Sequence, residues 1–265
     1  MVNANSLRDD QAAGLRRLFG HQDARTVAFM AAEPCGLGAL LARTAYVLAA
    51  GGREVILVDE RVGSASLISA FGATPGQEVY DVLLGDCSLD RALIPVAPLI
   101  RLLGAHRAAS ALVPGEDGPG NALPSMFQRL TCEADFVLVD ALSRRDAVVS
   151  AVSRQARHWV VATPARPESV TRAYALIKRI AREQGRTRFH LTVTGARRPE
   201  DARAIFGNMR QVAADHLGVD LKALPMEMDH LAGSLLNDMK AEARTAPPDR
   251  QGRAAAGLEL LHSMV

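Results

Sequence analysis

Short apolar runs recur along the chain, and they are continuous rather than alternating. The clearest are AFMAA at 28–32, VILVD at 55–59 and FVLVD at 136–140. A strand with one face in water alternates apolar and polar positions, whereas a strand covered by helices on both faces does not. The runs and their neighbours predict strands at Thr26–Ala31, Glu54–Val58, Ile100–Leu103, Asp135–Val139, His158–Ala162, Arg188–Thr194 and Lys222–Pro225. Between them, apolar positions recur at helical spacing over Leu37–Ala50, Ala122–Cys132, Ala147–Ala156, Glu168–Glu183 and Glu200–Leu217. Alternation of short strands with longer helices reads as βαβ units on a parallel sheet. The expected fold is α/β: a three-layer sandwich with a mostly parallel sheet of seven or eight strands flanked by helices.

Punctuation along the chain divides it further. Val113–Gly120 (VPGEDGPG) is rich in Pro, Gly and acids and reads as a loop. Ala246–Gly252 (APPDRQG) reads as a linker. The expected organisation is an N-terminal element at 1–22, one α/β domain at 23–245, and a linker with a C-terminal helix at 246–265. With 48% apolar and 23% charged residues, the 265-residue chain has the composition of a globular protein. Its first residues, MVNANSLRDD, are polar and acidic, unlike a secretory signal. Cys35, Cys87 and Cys132 show no metal-ligand spacing, and their odd number argues against a disulfide framework. A reduced, cytoplasmic protein is expected. A net charge of +2 does not call for a nucleic-acid partner.

One compositional fact bears directly on chemistry. Only three of the 31 basic residues are lysines, Lys178, Lys222 and Lys240, so the first 177 positions contain none. The first strand runs into the turn Cys35-Gly36-Leu37-Gly38-Ala39-Leu40 and then into a helix that feeds a second strand ending in Asp59. A phosphate-binding loop needs glycines for close backbone approach, a lysine for the phosphates and a Ser or Thr hydroxyl for Mg²⁺. Gly36 and Gly38 supply the first requirement. Ala39 stands at the lysine position and Leu40 at the hydroxyl position, with Arg43 one helical turn further on. By itself this turn fits a nucleotide site or a plain strand-to-helix connection.

Four segments in order resemble the MinD/ParA group of P-loop ATPases, and within it the FlhG (FleN, YlxH) branch that controls flagellar number and placement. They are DQAAGLRRL at 10–18, the deviant loop with VILVDERVGSASL at 55–67, VYDVLLGDCSLDRAL at 79–93, and TPARPESVTRAYALIK at 163–178. The similarity extends from about Asp10 to about Asn237. The family loop reads K-G-G-V-G-K-T. Its dimer-crossing lysine falls on Pro34, its phosphate-binding lysine on Ala39 and its Mg²⁺-binding threonine on Leu40. The aspartate that orients the attacking water falls on Arg61, and the asparagine that reads adenine on Thr194. Gly36, Gly38, Asp59 and Asp140 remain, the last at the position of the family's second-metal-shell aspartate. For Asp59 and Asp140 a purely local role, capping the turn that follows each strand, is the competing reading.

Phosphoryl transfer rests on positioning and on electrostatic stabilisation of the transferred group. Loss of two cations and a metal ligand, with a charge reversal at 61, therefore implies a degenerate ATPase that requires no cofactor. Weak ATP or ADP binding through loop N–H groups and the helix dipole stays open. One alternative is an active, divergent MinD-like ATPase with ATP-dependent dimerisation and membrane binding. Another is a ParA-type DNA-associated protein using the arginines at 179, 182, 186 and 188.

Near the N-terminus, Asp9 or Asp10 can cap a short helix whose apolar stripe is Ala12, Leu15, Leu18 and Phe19. In the FlhG branch this helix stimulates FlhF, a GTPase related to those of the signal-recognition particle. The resemblance assigns that role to Asp10, Gln11, Leu15 and Arg16. Gln11 would orient water, Leu15 would anchor the stripe, and Arg16 would pair with the partner's carboxylates or phosphates. Docking on the chain's own domain is the alternative. Flagellar C-ring or transcription-regulator proteins are further partners the resemblance suggests. At the other end, Leu258, Leu261 and Met264 form a short apolar face. It would give marginal membrane contact at the inner face or the cell pole, or dock on the domain.

Overall fold

The computed structural model describes residues 25–113, 115–142 and 149–224. Among these residues, eight strands form one sheet: β1 (Arg25–Ala31), β2 (Val55–Asp59), β3 (Ile94–Ala97), β4 (Ile100–Gly104), β5 (Phe136–Asp140), β6 (His158–Pro164), β7 (Arg188–Thr194) and β8 (Asp220–Ala223). Their order is β3-β4-β2-β5-β1-β6-β7-β8. Every neighbouring pair is parallel except β3 with β4.

The apolar runs are continuous because the two sheet faces belong to two cores. Val27 and Phe29 of β1 pack in one cluster, and Ala28 and Met30 pack in the other. Helix α1 (Leu37–Ala50) covers the first face. It buries Leu37, Leu40, Leu41, Thr44, Ala45 and Leu48, the i, i+3, i+4, i+7 stripe of an amphipathic helix. Gly51 and Gly52 end it, Gly52 with a φ of +73° that a Cβ would resist. Short helices α2 (Leu67–Ala70), α3 (Val79–Leu84), α4 (Leu89–Ala92) and α5 (His106–Ala111) follow β2 and β4. Helices α6 (Leu123–Glu133), α7 (Pro167–Gln184) and α8 (Pro199–Leu217) send buried residues into the opposite core.

Three departures from the sequence reading have local causes. The helix expected at Ala147–Ala156 is, over its described part, only a 3-10 turn at Ser153–Gln155. Ser150 and Ser153 donate to the Glu60 carboxylate at 2.5 and 2.6 Å, and Ser150 Oγ accepts from the Ser153 N–H at 2.9 Å. These side-chain bonds compete with helical pairing. The edge strand β3 contains Pro95, which weakens any strand signal; at a sheet edge its missing N–H is tolerated. Finally, β8 starts two residues before the expected Lys222, and Pro225 lies outside the described residues.

The chain passes from β1 through α1 to β2, one strand beyond β5, and later crosses from β5 over β1 to β6. Such reversals of direction leave a crevice outside the carboxyl ends of the strands, where ligands of open α/β sheets bind.

Candidate functional site

The loop between β1 and α1 sits at that crevice. Gly36 adopts the left-handed conformation, with φ +73° and ψ 26°, at the residue preceding α1. A Cβ there would be strained whatever the space around it. Gly38 is different: its Cβ would make ordinary contacts with Ala65 O, Leu67 Cδ2 and Asp140 Oδ2 at 3.8, 3.8 and 4.0 Å. The first turn of α1 has neither a side-chain cap nor an acidic residue. The helix itself therefore puts no carboxylate on the positive end of its dipole.

A cleft of about 490 Å³ opens beside this turn. Cys35, Gly36, Ala39, Leu40 and Arg43 form one wall, and Pro164, Ala165, Arg166, Thr194 and Gly195 form the other. The fold thus brings Gly36, Ala39, Leu40, Arg43 and Thr194 to one cavity. Ala39 is exposed, whereas Leu40 is buried in the core beneath α1. Pro34 is exposed next to the cleft-lining Cys35.

Asp59, Glu60, Arg61 and Asp140 lie at the carboxyl ends of β2 and β5, where Asp59 and Asp140 are register partners. Asp59 has a local role. Its Oδ1 accepts from the Arg61 N–H and its Oδ2 from the Ile68 N–H at the start of α2, both at 3.0 Å. Asp140 is fully buried, and its described partner is Arg61, whose Nε donates to Oδ1 at 2.8 Å. Arg61 Nη2 also donates to Ala141 O at 3.2 Å. Burial pushes the Asp140 carboxyl up to about 6, against the pull of the Arg61 charge. Burial likewise raises Asp59, opposed by its backbone donors.

Two carboxylates that sequence reasoning missed organise the surroundings. Glu60 is fully buried, and it accepts from the Leu142 N–H at 2.8 Å besides Ser150 and Ser153. It therefore ties the end of β2 to both sides of the stretch following β5. Burial raises its carboxyl above the ordinary range despite these donors. Only its place after Asp59 hinted at it, because its partners lie more than 80 residues away in sequence.

Glu33, in the loop itself, bonds Ser169 and pairs with Arg166 and Arg172 at the start of α7. The Ser169 hydrogen bond, with help from both arginines, holds the Glu33 carboxyl below its usual value of 4.5. A carboxyl lowered on folding adds stability above its unfolded value and loses it as pH falls through the folded one. Glu33→Gln should therefore melt below the wild type at pH 7. The two melting curves should converge as pH falls below 4.5 and through the lowered value of Glu33. A difference that persists undiminished at pH 3 would show that the carboxylate charge is not what holds the loop.

The resemblance implies a Mg²⁺ ion held by a threonine and backed by Asp140. The donor set does not fit it. Leu40 has no oxygen to offer, and Arg61 engages Asp140. Among the described residues, no group of three or more His, Cys, Asp or Glu is arranged to hold a metal ion. Of the arginines considered for nucleic acid, Arg186 donates to the carbonyls of Ala156 and Arg157 and stacks on Trp159, and Arg179 pairs with Glu183. Asp10, Gln11, Leu15 and Arg16 lie outside the described residues, as do Leu258, Leu261 and Met264.

No family model matches the chain. It is 32% identical over 179 residues to the antiactivator FleN of Pseudomonas aeruginosa, an alignment covering 67% of this chain and 64% of that protein. The chain thus spans just under two thirds of this relative's length. It is 23% identical over 226 residues to the flagellum site-determining protein YlxH of Helicobacter pylori, covering 81% and 73% of the two chains. Among solved structures, the MinD cell division protein of Aquifex aeolicus superposes with a TM-score of 0.59 at 15% identity, covering 85% of this chain and 99% of that one. At that identity the likeness concerns the fold.

Proposed function

Because the chain belongs to the FlhG branch of the MinD/ParA family, we propose that it regulates flagellar biosynthesis, number and placement as a degenerate ATPase. In this reading it stimulates an FlhF-type GTPase through the D-Q-A-x-x-L-R segment at Asp10–Arg16. The kinship with FleN and YlxH supports the flagellar role. The Arg61–Asp140 ion pair carries the degenerate-ATPase part, because it puts a cation where turnover needs a carboxylate beside water. No nucleotide is required, and regulation comes from the partner. No helix among the described residues is long and apolar enough to cross a membrane. The proposed place of action is the cytoplasm, at the inner face of the membrane or the pole, with C-ring or transcription-regulator proteins as further partners.

Gln11→Ala tests the reading. The variant should lose stimulation of the GTPase, leaving only the partner's basal rate, while its melting temperature stays that of the wild type. Full stimulation by the variant would refute the assignment. A large fall in melting temperature would instead favour a helix docked on the domain. The cleft, with Arg43 and Arg166 on its walls, favours a second reading as a divergent ATPase. That reading requires Mg·ATP-dependent dimerisation, which sedimentation measures directly.

A further inference from the structure

The carboxyl ends of β2 and β5 place Asp59, Glu60 and Asp140 within one buried region, each no more than 1% exposed. Backbone N–H and hydroxyl donors satisfy both Asp59 and Glu60. Asp140 is served differently. Its hydrogen-bond donor among the described residues is the Arg61 guanidinium, and its Oδ2 is buried with no partner among them. That oxygen points toward the loop, 4.0 Å from where a Cβ on Gly38 would stand. A carboxylate held there without a counter-charge is costly, so Asp140 needs a cation beside it to stay ionised.

The geometry aims one at it. Asp59 Oδ1 fixes the Arg61 backbone, and Ala141 O holds Nη2, so the fork has little freedom to leave. Arginine suits the task because its planar fork satisfies a carboxylate and a carbonyl together and it stays protonated at every relevant pH. We propose that the Arg61 guanidinium is an internal cation that takes over a divalent metal's role at Asp140. The junction between the β1–α1 loop and the sheet is then independent of magnesium. This deepens the degenerate-ATPase reading, since it names what replaces the metal, and it rests on that reading.

Thermal unfolding of the full chain tests it in EDTA, in millimolar MgCl₂ and in NaCl of matched ionic strength. Wild type should melt at one temperature in all three. Arg61→Met should melt about 5–10 °C lower in EDTA. Neither MgCl₂ nor matched NaCl should recover that loss, since Leu40 still offers Mg²⁺ no side-chain oxygen, whereas Arg61→Lys, which keeps a cation beside Asp140, should lose less than half as much. An Arg61→Met variant as stable as wild type in EDTA, a wild type that melts higher in MgCl₂ than in matched NaCl, or an Arg61→Lys loss as large as that of Arg61→Met overturns the proposal. If Arg61→Met does not fold, Arg61→Met with Asp140→Asn decides. Removing both charges should restore folding with no response to MgCl₂, and a double variant that stays unfolded overturns the proposal. ATP turnover by wild type is read separately. It would refute the degenerate-ATPase reading while the melting series still reports on the ion pair.

Discussion

Glu60→Ala should lower the stability of the domain by about 3 kcal/mol. The substitution deletes the acceptor shared by the Leu142 N–H and the Ser150 and Ser153 hydroxyls. A buried donor left without a partner costs about 1–3 kcal/mol, and hydroxyls that rotate to other acceptors bring the sum down. Relief from burying a carboxyl offsets part of the rest, since burial disfavours its charged form. For a domain of this size the loss corresponds to a fall in melting temperature of about 6–12 °C. Glu60→Gln keeps the volume and one acceptor oxygen, so it should cost less than half as much. Scanning calorimetry on both variants checks the ranking. A fall below about 2 °C for Glu60→Ala would mean that the network does not hold β2 to the segment after β5.

Wild type should hydrolyse Mg·ATP no faster than a protein-free control, and Ala39→Lys should not change that. Ala39 is exposed beside the cleft, so a lysine there has room and should tighten ATP binding measured by calorimetry. Turnover still lacks the hydroxyl at Leu40 and the carboxylate at Arg61. Each lost electrostatic partner raises a barrier by about 3–4 kcal/mol, a factor of about 10²–10³ in rate. Leu40→Thr does not remedy this cheaply, because Leu40 is packed in the core under α1. Its replacement with a polar side chain opens a partly filled apolar site. Steady-state phosphate release measures the result. Release by wild type above the control, abolished by EDTA, would show that the loop recruits a cation such as Arg43 and that the chain is an ATPase.

Much of the architecture is legible in the sequence. The runs at 28–32, 55–59 and 136–140 are central strands, and α1 spans the residues its periodicity predicts, Leu37–Ala50. Local rules sufficed there because each apolar stripe is long enough to state its own period. The four-residue edge strand β3 and the short helices α2, α3, α4 and α5 left weaker signals, since none exceeds six residues. The Ala147–Ala156 stretch misled for another reason: a distant carboxylate captures its serines.

The loop shows where the boundary falls. That Ala39 carries no charge, that Leu40 offers no oxygen and that no lysine precedes residue 178 are properties of the chain itself, true in any conformation. So are the glycines and the apolar periodicity from which the sheet and its loop follow. What Arg61 does with its charge is not such a property. It depends on β2 and β5 lying side by side, which brings Asp140, 79 positions away, to 2.8 Å. The same applies to Glu33 with α7 and to Glu60 with Ser150 and Ser153. Periodicity and turn chemistry act between near neighbours, so they can be read along the chain. Charge pairing acts between groups that only the packed sheet makes neighbours, and low local dielectric is what gives those pairs their weight.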